Sequence, residues 1–290
     1  METRNTRTQL KTRLQQREIV VAPGIFDLIS VRMADSMGFD CLYMTGFGTV
    51  ASYLGLPDAG LATYTDMVNR VSAFCGASST PVICDADTGY GGLLNVAHTV
   101  RGYERAGAAA IQLEDQEFPK KCGHTPGRTV IALEDMVKKI KVAVETREDP
   151  DFQIVARTDA RTSLGLDEAL RRADAYAKAG ADVLFIESPE SSEELEKIGR
   201  SFDVPLLVNI VEGGRTPQLT PPELEKLGFS LAIYPVAGFL AATQALKNAY
   251  SEIKGLRGTT RAQATMYSFE DVCKLMGFPA VWDFDRTHAD

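Results

Sequence analysis

Four acidic residues stand where short apolar runs end: Asp85 and Asp87 in "PVICDADTGYGG", Glu114 in "IQLEDQ" and Asp58 in "LPDAG". Two aspartates two positions apart on a strand send both side chains to one face. Carboxylates aimed at one spot repel unless a cation or a shared proton relieves them. Glu114 and Asp58 add to that charge, and no histidine or thiolate shares the spacing, so the pattern asks for a hard divalent cation. Mg²⁺ fits best, with Mn²⁺ second: Mg²⁺ takes one or two carboxylates directly and keeps several waters, which the other acids can hold. The plainer reading is a turn whose aspartates bond backbone amides. "GYGG" lacks the spacing of a phosphate-binding loop.

Other chemistry-bearing residues end other apolar runs. Tyr43, Thr45 and Gly46 lie in "YMTGFG", Arg157 in "ARTDA", Glu187 in "IESPE", Asn209 and Glu212 in "NIVEGG" and Pro235 in "YPV". Arg157 either balances the acids or grips a substrate carboxylate with both prongs. Glu187, Asn209 and Glu212 are either support for a site or hydrogen bonders of a core. His98 and His288 read as structural or solvated. Cys122 sits among Lys120, Lys121 and His124 in "KKCGH", where neighbouring cations ease the loss of a thiol proton. From Gln116 to Ile131 no helix or strand pattern appears, so this is a long loop after a fourth strand. Such loops are often lids. A lid thiol could exchange a proton with carbon; a small residue in a basic turn is the bland alternative.

The elements that must position these groups repeat one phrase. "MADSMGFDCLYM" (33–44), "YERAGAAAIQL" (103–113), "YAKAGADVLFI" (176–186) and "LEKLGFSLAIY" (224–234) each read as a helix end, a glycine stop and an apolar strand. Four further apolar runs bring the strand candidates to eight, near 20, 43, 84, 112, 156, 185, 208 and 233. "LDEALRRADAYAKAG" puts Leu166, Ala169, Leu170, Ala173 and Ala177 on one helical face. Buried strands alternating with helices make a parallel sheet, and eight units make an α/β TIM (β/α)8 barrel. A doubly wound open sheet is the competitor. In either case the chemistry sits at the C-terminal strand ends. The reading is one domain, 1–290, with a barrel core over 17–253 and a helical extension over 254–290. In that extension "SFEDVCKLMGF" carries a helix cap and a glycine stop; surplus to a barrel, it would pack on a neighbouring subunit.

Composition narrows the function further. With 44% hydrophobic and 24% charged residues, the 290-residue chain can bury a large core. A net charge of -8 argues against nucleic acid or an anionic membrane as partner. No apolar run is long enough to span a bilayer, and the charged start lacks a signal-peptide core. Five scattered cysteines without a CxxC pair suit a reducing cytoplasm, not a disulfide scaffold.

The motifs "DADTGYGG", "LED", "KKCGH" and "ARTDA", in this order and spacing, make the chain from about residue 15 onward resemble the isocitrate lyase/phosphoenolpyruvate mutase superfamily. The resemblance implies a TIM barrel whose C-terminal helix is swapped between paired subunits, usually in homotetramers built as a dimer of such dimers. It implies Mg²⁺ and a small dicarboxylate substrate of the α-keto or α-hydroxy type. By matching position, Asp85 would ligate Mg²⁺ directly while Asp58, Asp87 and Glu114 hold its waters. Tyr43, Thr45, Gly46 and Phe47 would grip the substrate carboxylate, with Thr45 where the family commonly has serine. Arg157 would contact the pyruvate-like half, and Glu187, Asn209 and Glu212 would support it. Gly123, His124 and Pro235 fall on further substrate-site positions, and Lys120, Lys121 and His124 join Cys122 and Tyr43 in the catalytic set.

Cys122 sorts the reactions. The phosphonate branch of the family lacks it, whereas the carbon–carbon lyases carry it. Splitting a 2-hydroxy acid leaves a carbanion-like enediolate, which a lid thiol can protonate. Where 2-methylisocitrate-cleaving members carry arginines, this chain has Thr125 and Leu240. A second carboxylate on the leaving half would then lack its partner, a loss of several kcal/mol in a closed site. The expectation is a Mg²⁺-dependent lyase cleaving a 2-alkylated malate, as in 2,3-dimethylmalate giving pyruvate and propionate. Tyr43, or a base close to it, would take the hydroxyl proton and Cys122 would give one back. The alternatives are cleavage of 2-methylisocitrate to pyruvate and succinate, decarboxylation or hydrolysis of oxaloacetate, and a non-catalytic metabolite-binding barrel. Family members that hydrolyse oxaloacetate tend to have serine where Pro235 stands. A non-catalytic barrel should have lost Cys122 or one of the four acids, and all five are in place.

Overall fold

In the computed structural model, which describes residues 2–16, 18–123, 127–259 and 266–289, eight parallel strands close into a barrel in sequence order. They are β1 (Val20–Ile25), β2 (Leu42–Met44), β3 (Val82–Asp85), β4 (Ala110–Glu114), β5 (Gln153–Thr158), β6 (Val183–Ile186), β7 (Leu206–Asn209) and β8 (Leu231–Tyr234). Every predicted strand is present. Pairing of Val20 with Leu231 and Pro23 with Tyr234 shuts the cylinder, which excludes the open sheet.

Two apolar layers explain the closure. Inside, Val20, Ala22, Tyr43, Ile83, Val155, Phe185, Leu207 and Ile233 fill the cylinder. Outside, alternate residues such as Leu42, Cys84, Ile111, Ile154 and Leu184 pack against the helices. Strands buried on both faces need continuous apolar runs, which is what the sequence supplies. The four repeated glycines, Gly38, Gly107, Gly180 and Gly228, all have positive φ, from 75° to 103°. Each ends a helix in the conformation that glycine alone adopts cheaply, so that the next strand can turn back into the barrel.

Two elements go beyond the sequence reading. Helix α1 (Glu2–Leu14) precedes the barrel, in a stretch for which no element was expected. Its Leu10 and Leu14, four residues apart, plug the N-terminal mouth as part of the interior cluster. Its charged residues bind the rim: Arg7 Nε donates to the Ala108 carbonyl (3.0 Å) and Lys11 to Asp151 (2.8 Å). At the other end, α11 (Ala237–Leu256) is the barrel's eighth helix. It is followed by α12 (Phe269–Leu275), capped by Ser268 as expected, and by an additional helix, α13 (Phe278–His288). None of the described side chains of these three helices is fully buried. Among the described residues no helix is long and apolar enough to cross a membrane.

His98 is exposed on α5 (Leu93–Arg105), its ring 4.4 Å from that of Tyr64, and His288 is exposed on α13. All five cysteines are free thiols.

Candidate active site

The C-terminal ends of the strands surround a small cavity of about 50 Å³. Its floor is polar. Asp85, the last residue of β3, accepts at Oδ1 from the Asp87 amide (3.1 Å) and from Gln112 Nε2 (3.4 Å). Gln112 in turn accepts from the Tyr43 hydroxyl (3.1 Å). Asp85 Oδ2 lies against Gly46, where an added Cβ would come within 2.6 Å of it. Gly46 opens helix α3 (Gly46–Leu54), whose N-cap Thr45 accepts from the Gly48 amide (3.4 Å). The amides of that first turn are the kind that bind a carboxylate.

Alternation along a strand is not what brings Asp87 in. It lies past the end of β3 with φ 50°, in the left-handed region, and the bend turns its carboxylate toward Lys120. Lys120 is buried between Asp58 (2.5 Å) and Asp87. Burial works against its charge, but Asp87, Asp58 and Glu114 outweigh that and hold the ammonium protonated. Burial, with Asp85 and Asp58 adding to it and Lys120 opposing, pushes the Asp87 carboxyl up to about 7. The four acids therefore divide: Asp58 and Asp87 clasp Lys120, while Asp85 and Glu114 serve the floor. Lys120 faces the acids, and the exposed Lys121 donates to the Gly127 carbonyl (3.0 Å).

Arg157, from β5, carries the opposite charge into the floor. Its Nε and Nη2 reach Asp159 (2.9 Å each), Nη1 lies 3.2 Å from Glu114 Oε2, and the guanidinium lies over the Phe185 ring at 5.2 Å. Burial opposes its charge, but Asp159, Glu114 and Glu187 hold it well above the ordinary arginine range. Glu187 is fully buried; Ser188 Oγ (2.9 Å) and Asn209 Nδ2 (3.2 Å) reach its two oxygens. Burial is also the main reason Tyr43 is raised well above the usual phenol value, with Asp85 adding to it. Burial thus favours the neutral phenol here, with its hydrogen on Gln112.

Six carboxylates (Asp58, Asp85, Asp87, Glu114, Asp159, Glu187) meet three cations (Lys120, Arg128, Arg157) in this region. Glu114 Oε1 is buried and accepts no hydrogen bond among the described residues, and burial lifts that carboxyl well above its usual range. Among the described residues no three His, Cys, Asp or Glu side chains converge closely enough to hold a metal by themselves. The orphaned Glu114 oxygen and the Asp85 carboxylate are hard donors that suit a cation held by one or two carboxylates and by waters, as Mg²⁺ prefers.

The long loop after β4 roofs the cavity. Its stem is closed by a bridge between Gln116 and Val130, with Glu117 N donating to Thr129 O (2.9 Å) and Ile131 N to Asp115 O (2.9 Å). Gln116 braces the loop from below through both polar atoms of the Lys121 backbone (2.8 and 3.0 Å). The Cys122 amide bonds the Asp58 carbonyl (3.2 Å), which sets the thiol-bearing residue over the floor, and Cys122 lines the cavity. The lining also includes the apolar side chains of Phe47, Val211, Ile233, Pro235 and Val236.

The cavity gathers most of the expected residues: Tyr43, Thr45, Phe47, Asp58, Asp85, Glu114, Lys120 to Gly123, Arg157, Glu187, Asn209 and Pro235. Gly46 and Asp87 stand just behind it. Glu212 does not join them; it is exposed beyond the end of β7, so its expected support role is not built here. His124, with Thr125, lies outside the described residues. Leu240 is exposed on α11 and outside the cavity lining. The sequence reading missed Gln112, Arg128, Asp159 and Ser188, although Asp159 stands inside "ARTDA".

Comparison with known proteins identifies the family. The family model described as phosphoenolpyruvate phosphomutase matches residues 10–254. A 2,3-dimethylmalate lyase of Eubacterium barkeri is 48% identical over 285 residues, covering 98% of this chain and 99% of the relative. A 2-methylisocitrate lyase of Aeropyrum pernix is 45% identical over 282 residues, covering 97% and 89%. The solved structure of an oxaloacetate acetylhydrolase in complex with 3,3-difluorooxalacetate superposes with a TM-score of 0.93 at 33% identity, covering 98% of this chain and 97% of that one.

Proposed function

Because the chain belongs to the isocitrate lyase/phosphoenolpyruvate mutase superfamily, we propose that its barrel mouth cleaves the C2–C3 bond of a 2-alkylated malate, 2,3-dimethylmalate being the substrate type, to pyruvate and propionate. The observation that carries this choice is the lining of the cavity, in which Arg157 stands together with the apolar side chains of Phe47, Val211, Ile233, Pro235 and Val236. Arg157 suits the 2-hydroxy-acid half, and the apolar residues suit an alkylated leaving half. A leaving half with a second carboxylate, as in 2-methylisocitrate, would need a further cation. The Lys121 ammonium donates to the Gly127 carbonyl.

Asp85 is the residue proposed to hold Mg²⁺ directly, with Glu114 oriented to hold a water; when bound, the ion would polarise the hydroxyl and keto oxygens. Tyr43, its hydroxyl hydrogen on Gln112, lines the cavity beside the reacting oxygen. The hydroxyl proton leaves to a base close by. As the C2–C3 bond breaks, its electron pair passes into the departing carboxylate as an enediolate. The Cys122 thiol delivers its proton to that carbon, completing propionate. In this reading the substrate enters with the loop lifted and reacts with water excluded.

Paired subunits with exchanged C-terminal helices are part of the same proposal. It is supported by exposed Leu246, Tyr250 and Ile253 on α11 and by exposed Phe269, Val281, Trp282 and Phe284 on α12 and α13. Faces of this size and apolarity call for a covering partner.

A panel of 2-hydroxy diacids assayed with Mg²⁺ for keto-acid release tests the reading. Fastest release from 2,3-dimethylmalate supports it. Faster turnover of 2-methylisocitrate, or CO₂ or oxalate from oxaloacetate at higher rate, overturns it.

A further inference from the structure

Arg128 lies on the outgoing arm of the loop, buried, and does not line the cavity. Its Nη1 binds Asp159 Oδ1 and its Nη2 donates to Thr162 Oγ1 (2.8 Å). Asp159 is the same carboxylate that receives both Nε and Nη2 of Arg157. Its backbone is fixed as well, since its amide donates to Asp115 Oδ1 (2.9 Å). The loop meets Arg157 a second time at Gly123, where a Cβ would come within 2.5 Å of Nη2. The loop's two arms therefore converge on one guanidinium, one by direct contact and one through a shared carboxylate.

We propose that Arg128 and Asp159 are positioning residues that make seating of the loop and aiming of Arg157 a single event. Asp159 is fully buried and takes both prongs of the Arg157 fork, while Arg128 divides its two Nη between Asp159 and Thr162, a planar pairing that a lysine does not reproduce. With the loop seated, Arg128 fixes Asp159, Asp159 fixes the plane of Arg157, and the guanidinium is pinned by Asp159 and Glu114 with its face over Phe185. With the loop lifted, Asp159 loses one partner and Arg157 gains freedom to admit the acid. The inference rests on the reading of Arg157 as the substrate-gripping group, and its first test is independent of any substrate.

That test is amide hydrogen exchange over residues 116–123 and 127–131 in the ligand-free wild type, Arg128→Gln, Arg157→Lys and the double variant. Coupled residues predict at least tenfold faster exchange in each single variant, with the double variant no faster than the faster single. Additive acceleration, or wild-type exchange in Arg157→Lys, overturns the coupling. Should Arg128→Gln fail to fold, Arg128→Lys carries the same comparison. The second readout is the Kd of oxalate, a planar two-carbon diacid, measured by calorimetry with Mg²⁺. Arg128→Gln weakens it at least tenfold although Arg128 never reaches the cavity, and Arg128→Lys falls between. Unchanged affinity in Arg128→Gln overturns the proposal. A wild type that does not bind oxalate strikes the reading of the cavity instead, and the exchange comparison alone then decides the coupling.

Discussion

Replacing Gly123 by alanine adds one methyl group at the tightest point of the site. That methyl would lie 2.5 Å from Arg157 Nη2, 3.0 Å from Glu187 Cδ and 3.1 Å from Glu187 Cγ. Neither neighbour can retreat. Arg157 is held by two 2.9 Å bonds to Asp159 and by Glu114 at 3.2 Å, and Glu187 is fully buried between Ser188 and Asn209. The loop itself must lift, at an overpacking cost of about 1–3 kcal/mol. At about 1.4 kcal/mol per factor of ten, the seated loop becomes roughly 5- to 150-fold rarer. Because the strain falls on the loop and not on the barrel core, Tm should stay within about 2 °C of wild type for an effect this local. The assay is kcat/KM for keto-acid release beside a thermal melt. Wild-type kcat/KM in Gly123→Ala would refute the claim that the loop must seat on Arg157 for turnover.

Gly46→Ala should raise the Mg²⁺ concentration for half-maximal activity by about tenfold, since its Cβ would fall 2.6 Å from Asp85 Oδ2. An unchanged Mg²⁺ requirement would contradict the role given to Asp85. Lys120→Met leaves Asp58 and Asp87 facing each other without their shared cation, an expected loss of about 3–5 kcal/mol. Thermal melts read it as a Tm lower by on the order of 10 °C, and an unaltered Tm would mean that Lys120 does not neutralise the pair.

Which parts of this molecule were legible in the sequence follows from where the information lies. Strands such as Ile154 to Ala156 and Val183 to Ile186 are buried on both faces, so local composition alone betrays them. The glycine stops are equally local, because a positive φ is a property of one residue. Helix α1 escaped because its burial depends on two leucines in an otherwise charged stretch, and only the closed barrel gives them a hole to fill. The acids were found, but their grouping was not. Asp87 turns in through a left-handed backbone, and Lys120 separates Asp58 and Asp87 from Asp85, two features that strand alternation does not encode. Arg128 and Asp159 are 31 residues apart, and no periodicity links them before the loop folds back. Glu212 shows the converse: a carboxylate next to a strand end that the chain turns outward.

The thiol above the floor is the center of the account, and replacing it by serine tests that most directly. Serine keeps a small hydroxyl in place of Sγ but is far weaker as an acid. Cys122→Ser should release no measurable keto acid from 2,3-dimethylmalate while binding oxalate with wild-type affinity. Turnover at the wild-type rate would show that the proton reaches carbon from another group.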